Sequence, residues 1–126
     1  MAQAQSYSGG CHCGAVSFRV TTDATVVLEC NCSICRKKGF LHLIVEAEAF
    51  TMLEGEERLT SYGFGTHTAR HLFCDTCGVQ SYYHPRSHPN GISINARCLD
   101  DDALARFEVI PFDGENWEAN VALIRH

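Results

Sequence analysis

Cys74-Asp75-Thr76-Cys77-Gly78 has the form of a zinc knuckle, a turn whose backbone N–H groups face two sulfurs and whose closing glycine tolerates a positive φ angle. One such pair of thiolates needs a second. Cys11-His12-Cys13-Gly14, with glycines on both sides, is the natural partner. Zn–S bonds of about 2.3 Å would hold neighbouring sulfurs roughly 3.8 Å apart, a spacing that one- and two-residue gaps reach easily. Cys13 and Cys74 are 61 residues apart. Closing so long a loop is entropically costly, so an ion shared by Cys11, Cys13, Cys74 and Cys77 would contribute directly to folding.

A third cluster, Cys30-Asn31-Cys32-Ser33-Ile34-Cys35, offers three thiolates from one short stretch. Three protein ligands with a fourth position open is the usual build of a catalytic zinc site. The alternative is a second closed four-sulfur site completed by Cys98. Cys98 stands alone in Asn95-Ala96-Arg97-Cys98-Leu99-Asp100, and an isolated cysteine is usually a small buried hydrophobe. Among the histidines, His67 and His71 form an HxxxH pair, but the surrounding residues read as strand, where four residues span about 13 Å and one ion cannot be shared. His12 is expected to face solvent. His42, His84 and His88 receive no role.

Eight cysteines in a short chain also suggest a secreted disulfide framework. The opening Met-Ala-Gln-Ala-Gln-Ser-Tyr-Ser lacks the basic and apolar regions of a signal peptide, so a reducing compartment is expected, the cytoplasm or alternatively the nucleus. With 126 residues, 45% hydrophobic and 20% charged, the chain reads as one globular domain over 1–126, small enough for a metal staple to matter. No apolar run reaches membrane-spanning length; Phe40 to Val45 is interrupted by His42. The formal charge of -5 disfavours nonspecific nucleic-acid binding. Its local exception, Arg36-Lys37-Lys38, reads either as a solvated turn or as cations facing an anionic ligand at the metal.

Short alternating or β-rich segments at 15–20, 26–29, 40–45, 58–62, 69–73, 79–83 and 91–95, separated by glycines and prolines, predict a mainly β fold. One helix is expected from Asp113, followed by acidic Glu115 and Glu118 and ending near Arg125 and His126. A short helical turn is expected after Cys32.

In their order, GGCHCGAVSFRV (9–20), CNCSICRKKG (30–39) and HLFCDTCGVQSYYHPRS (71–87) resemble the glutathione-dependent formaldehyde-activating enzymes, a family that also includes centromere protein V. The likeness runs from Gly9 to about Trp117, and Pro85 to Asp100 and the run 113–117 look closer to the centromere protein V branch. The resemblance implies a mainly β, Mss4-like fold with two zinc ions. A structural ion would lie on Cys11, Cys13, Cys74 and Cys77, and an exchangeable one on Cys30, Cys32 and Cys35. It also implies a carbon–sulfur lyase-type activity that joins glutathione and formaldehyde, or a related small aldehyde, as S-hydroxymethylglutathione.

Three thiolates leave zinc with a formal charge of -1 and weaken it as a Lewis acid. The expected role is therefore to hold glutathione's sulfur as a nucleophilic thiolate, with Arg36, Lys37 or Lys38 available to its carboxylates. The competing class is a non-catalytic, zinc-stabilised module for a protein or chromatin partner. An intact three-cysteine cluster argues against it.

Overall fold

The computed structural model describes residues 3–65, 69–85, 87–88 and 90–113. In β2 (Ser17–Thr22), Phe18 and Val20 are fully buried while Arg19 and Thr21 face solvent, the alternation that a half-buried strand requires. β2 is the middle of a three-stranded antiparallel sheet, between β1 (Gln5–Gly10) and a later strand, β5 (Phe50–Glu54). β1 pairs Tyr7 with Val20 and Gly9 with Phe18. Gly9 is obligatory there, because a Cβ would stand 2.6 Å from both the Phe18 ring and the Cys98 carbonyl.

The second sheet has seven strands. They are β3 (Val26–Cys30), β4 (Leu41–Glu46), β6 (Leu59–Tyr62), β7 (Arg70–Cys74), β8 (Tyr82–His84), β9 (Gly91–Asn95) and β10 (Glu108–Phe112), in the order β10-β3-β4-β9-β8-β7-β6. Among the described residues of this sheet only β10 and β3 run parallel; every other pairing is antiparallel. The inner face presents Leu41, Leu43, Val45, Ile92, Ile94 and Tyr82, which pack with Tyr7, Phe18 and Val20 of the smaller sheet. Phe50 meets Tyr82 across the layers with ring centroids 4.6 Å apart. The alternate residues of the same central strands, His42, Tyr83, Ser93 and also His71, are buried too, and they form a polar layer on the sheet's other face.

The fold is mainly β in a small single domain, as the sequence predicts. β9 has the predicted bounds, and the other six predicted strands are shifted by one to three residues at an end. Strands β1, β5 and β10 were not predicted. The turn after Cys32 leads into α1 (Cys35–Lys38), which Gly39 closes in the left-handed conformation, φ 68°, with its N–H on the Cys35 carbonyl at 2.9 Å. The helix expected from Asp113 falls on 114–126, outside the described residues. Among the described residues no helix is long and apolar enough to cross a membrane.

Candidate metal centres

The first cysteine group sits where the two sheets meet at one end. Cys11 and Cys13 occupy the turn between β1 and β2, and Cys74 ends β7 with Cys77 in the turn that follows. Their four sulfurs lie within 4.8 Å of one another. Cys11 and Cys13 are 3.6 Å apart, and Cys13 and Cys74 are 3.7 Å apart. Those separations match the edge of a tetrahedral Zn–S₄ site, roughly 3.8 Å. They are contacts, not disulfides: all eight cysteines are free.

Backbone N–H groups point at two of these sulfurs. Val16 N–H donates to Cys11 Sγ at 3.3 Å and Thr76 N–H to Cys74 Sγ at 3.4 Å. N–H groups of Cys77 and Thr76 directed at its sulfur hold the Cys74 thiol below its ordinary value. The turn closes through Gly78, φ 77°, whose N–H reaches the Cys74 carbonyl at 2.9 Å. Arg58 ties this turn to its neighbour strand: its Nε donates to Asp75 Oδ1 at 3.0 Å, its guanidinium also meets Thr76 Oγ1, and its carbonyl accepts Asp75 N–H at 2.8 Å.

The second group is built from one stretch of chain. Cys30 ends β3, Cys35 opens α1, and Cys32 lies between them. Cys35 N–H donates to Cys32 Sγ at 3.4 Å and Arg36 N–H to the Cys32 carbonyl at 3.1 Å, which folds the loop back on itself. Hydrogen bonds with Cys30 and then Cys35 bring the Cys32 thiol down to about 2, while those with Cys30 and then Cys32, together with burial, push Cys35 far above the thiol range.

The structure adds a residue that sequence reasoning left without a role. His42, on β4, lies with Cys30 and Cys35 so that the three donor atoms are within 4.8 Å of one another. Its Nε2 is 3.1 Å from Cys35 Sγ, and its Nδ1 is 2.9 Å from Ser93 Oγ and 3.2 Å from Tyr83 OH. Burial keeps the ring neutral, with its pKa lowered to about 4. The available signal was a single histidine inside Phe40-Leu41-His42-Leu43-Ile44-Val45, on the face opposite the leucines.

A cleft of about 520 Å³ opens beside this group, walled by Cys30, Cys35, Arg36, Phe40, Pro111 and Phe112. Asn31 Nδ2 donates to Asp113 Oδ1 at 3.1 Å at its border. Of the cationic run, Arg36 faces the cleft, whereas Lys38 Nζ donates to Gln80 Oε1 at 2.7 Å.

Cys98 belongs to neither group. Its thiol points at the Gln80 carbonyl, 3.6 Å away, and burial raises its pKa to about 11. His12 is exposed, as expected. His71 is buried and stacks on Tyr83 with centroids 4.5 Å apart, and His67 lies outside the described residues.

A small mainly β domain with two donor groups that could hold a metal ion, one of four cysteines and one of Cys30, Cys35 and His42, is the class that this architecture defines. The family model for glutathione-dependent formaldehyde-activating enzyme matches residues 6–114, and the chain belongs to that family. It is 32% identical over 104 residues to a Halomonas elongata protein named "Putative glutathione-dependent formaldehyde-activating enzyme". That match covers 75% of this chain and 66% of the relative. A crystal structure of a Rhodobacter sphaeroides protein is similar at 34% identity and a TM-score of 0.75, covering 83% of this chain and 99% of that one.

Proposed function

We propose that the chain is a zinc-dependent carbon–sulfur lyase-type enzyme that adds the thiolate of glutathione to formaldehyde or a related small aldehyde. Cys11, Cys13, Cys74 and Cys77 would hold a structural zinc, and Cys30, Cys32 and Cys35 an exchangeable one. The observation that carries the reading is the placement of Cys30 and Cys35 in the wall of a cleft, beside the Arg36 side chain. A scaffold has no need to expose its ligands to a cavity of that size. Family membership supports the same chemistry.

Zinc on the second set would supply a thiolate nucleophile near neutral pH by lowering the pKa of a bound thiol. The chain's own residues do the rest. Arg36 offers a fixed positive charge to a peptide carboxylate of glutathione, and Phe40, Pro111 and Phe112 give the cleft an apolar wall that limits water around the reacting carbon. In the reaction a C–S bond forms at the aldehyde carbon, the carbonyl π pair moves onto oxygen, and the proton released by the thiol ends on that oxygen.

The test is the rate of S-hydroxymethylglutathione formation from ¹³C-formaldehyde and glutathione, followed by NMR exchange with the zinc-loaded protein. An exchange rate several-fold above that of buffer is expected, together with glutathione-dependent thermal stabilisation. A rate equal to that of buffer, with no stabilisation, would remove the enzyme reading. It would leave the interaction module in its place.

A further inference from the structure

We propose that His42 is a positioning residue for the second metal site: it donates Nε2–H to Cys35 and holds that sulfur as a thiolate, without itself ligating the ion. The inference rests on the reading of Cys30, Cys32 and Cys35 as metal ligands.

Distance separates donor from ligand. A ring nitrogen and a sulfur bound to one tetrahedral zinc, at about 2.0 and 2.3 Å, stand roughly 3.6 Å apart. The first group keeps that spacing, at 3.6 and 3.7 Å between sulfurs. His42 Nε2 lies at 3.1 Å from Cys35 Sγ, inside the ligand–ligand edge and on the sulfur itself. A metal-bound thiolate only accepts, so the facing nitrogen must carry the proton.

Burial explains why this sulfur has a donor. Cys35 is buried, while Cys30 and Cys32 are partly exposed to solvent. Water can hydrogen-bond the two outer sulfurs, and Cys35 depends on the protein. The chain fixes the donor from three sides. Ser93 Oγ and Tyr83 OH meet Nδ1 at 2.9 and 3.2 Å, and the Phe40 ring packs against the imidazole with centroids 4.6 Å apart. The register places these groups together: His42 lies opposite Asn95 on β9, Ser93 is the next residue on the same face, and Tyr83 pairs with Ser93. Outer-sphere hydrogen bonds of this kind set ligand basicity and orientation.

Two polar variants separate the possibilities. The side-chain amide nitrogen of His42→Gln reaches the place of Nε2, whereas that of His42→Asn stops at the place of Nδ1, still able to meet Ser93. The full chain is prepared with zinc in the four-cysteine site and cobalt(II) exchanged into the second. Cobalt affinity is measured by competition with a chromophoric chelator, and the spectrum is recorded. For His42→Asn we expect affinity about ten- to hundred-fold lower and the thiolate-to-cobalt charge-transfer band at lower energy, with the tetrahedral d–d pattern of the parent retained. For His42→Gln both quantities should return to near the parent's. A d–d pattern altered in both variants would make His42 a ligand and overturn the proposal. Parent-like affinity and charge transfer in both, with only the melting temperature lowered, would reduce His42 to packing. A parent chain that takes up no exchangeable cobalt would instead defeat the underlying metal reading.

Discussion

The two cysteine clusters offer the same kind of donor and differ in what they join. Cys11 and Cys13 come from a turn of the three-stranded sheet, and Cys74 and Cys77 from a turn of the seven-stranded one. Cys30, Cys32 and Cys35 come from one loop of one sheet, backed by His42 on the adjacent strand. An ion on the first group would close a loop of 61 residues, and an ion on the second closes almost none. By loop-closure entropy alone, 61 residues against the five from Cys30 to Cys35, the difference is about 2 kcal/mol. Placement follows the same division: the first group is embedded in knuckle turns clamped by Arg58, and the second borders a cleft. Cysteine spacing points to where an ion could sit, and topology would decide whether it staples the fold or is presented to a ligand.

The sharpest way to break this comparison is Cys74→Ser. Cys74 is 1% exposed, its sulfur accepts Thr76 N–H, and it is the member of the first group that ends a sheet strand. Loss of the ligand should free the turn from the smaller sheet and remove the cooperative unfolding transition, because structural zinc binding and folding are one equilibrium in small domains. Circular dichroism with metal analysis checks it. A native spectrum with a normal melting transition would mean that the sheets hold together without the staple.

Cys32→Ser should be milder and more specific. The variant is expected to stay folded, with its melting temperature lowered by only a few degrees, to lose the exchangeable metal, and to lose glutathione binding in calorimetry. Retained glutathione affinity would exclude capture of the thiol at the metal. Unfolding as complete as that of Cys74→Ser would erase the contrast between the groups.

The grouping of Cys11, Cys13, Cys74 and Cys77 was legible because closely spaced cysteines bring their own geometry: CxC and CxxC turns place sulfurs together whatever lies around them. His42 was not legible. Its partners Ser93 and Tyr83 lie on β9 and β8, and only sheet register brings them to β4. The same limit hid three strands. β1 carries Gly9 and Gly10, which read as a break, yet Gly9 is there because Phe18 and the Cys98 carbonyl fill the space of a side chain. β10 contains Pro111, which demotes a strand in sequence but is admissible at the sheet edge that β10 occupies. β5 buries no residue fully, so its alternation was faint. Ordinary strands such as β9, buried at four of five positions, were clear from composition alone.

Cys98→Ala should have the smallest effect, and it tests whether the two groups are as separate as the geometry makes them. If a second closed four-sulfur site existed, Cys98 would complete it. The structure instead directs its thiol at the Gln80 carbonyl at 3.6 Å, a weak contact, and packs the residue partly buried at the margin of the core. The local backbone has other supports, since Leu99 N–H bonds the Ala96 carbonyl at 3.2 Å and Asp100 N–H the Ser8 carbonyl at 2.9 Å. Alanine keeps the Cβ and all of those bonds. It loses one polarisable sulfur and leaves a small void, so about 1 kcal/mol of stability should disappear, measured by urea denaturation with an unchanged slope. Metal content should equal the parent's. Loss of one ion in this variant would recruit Cys98 as a ligand, close the second site, and take away the open position on which thiol capture depends.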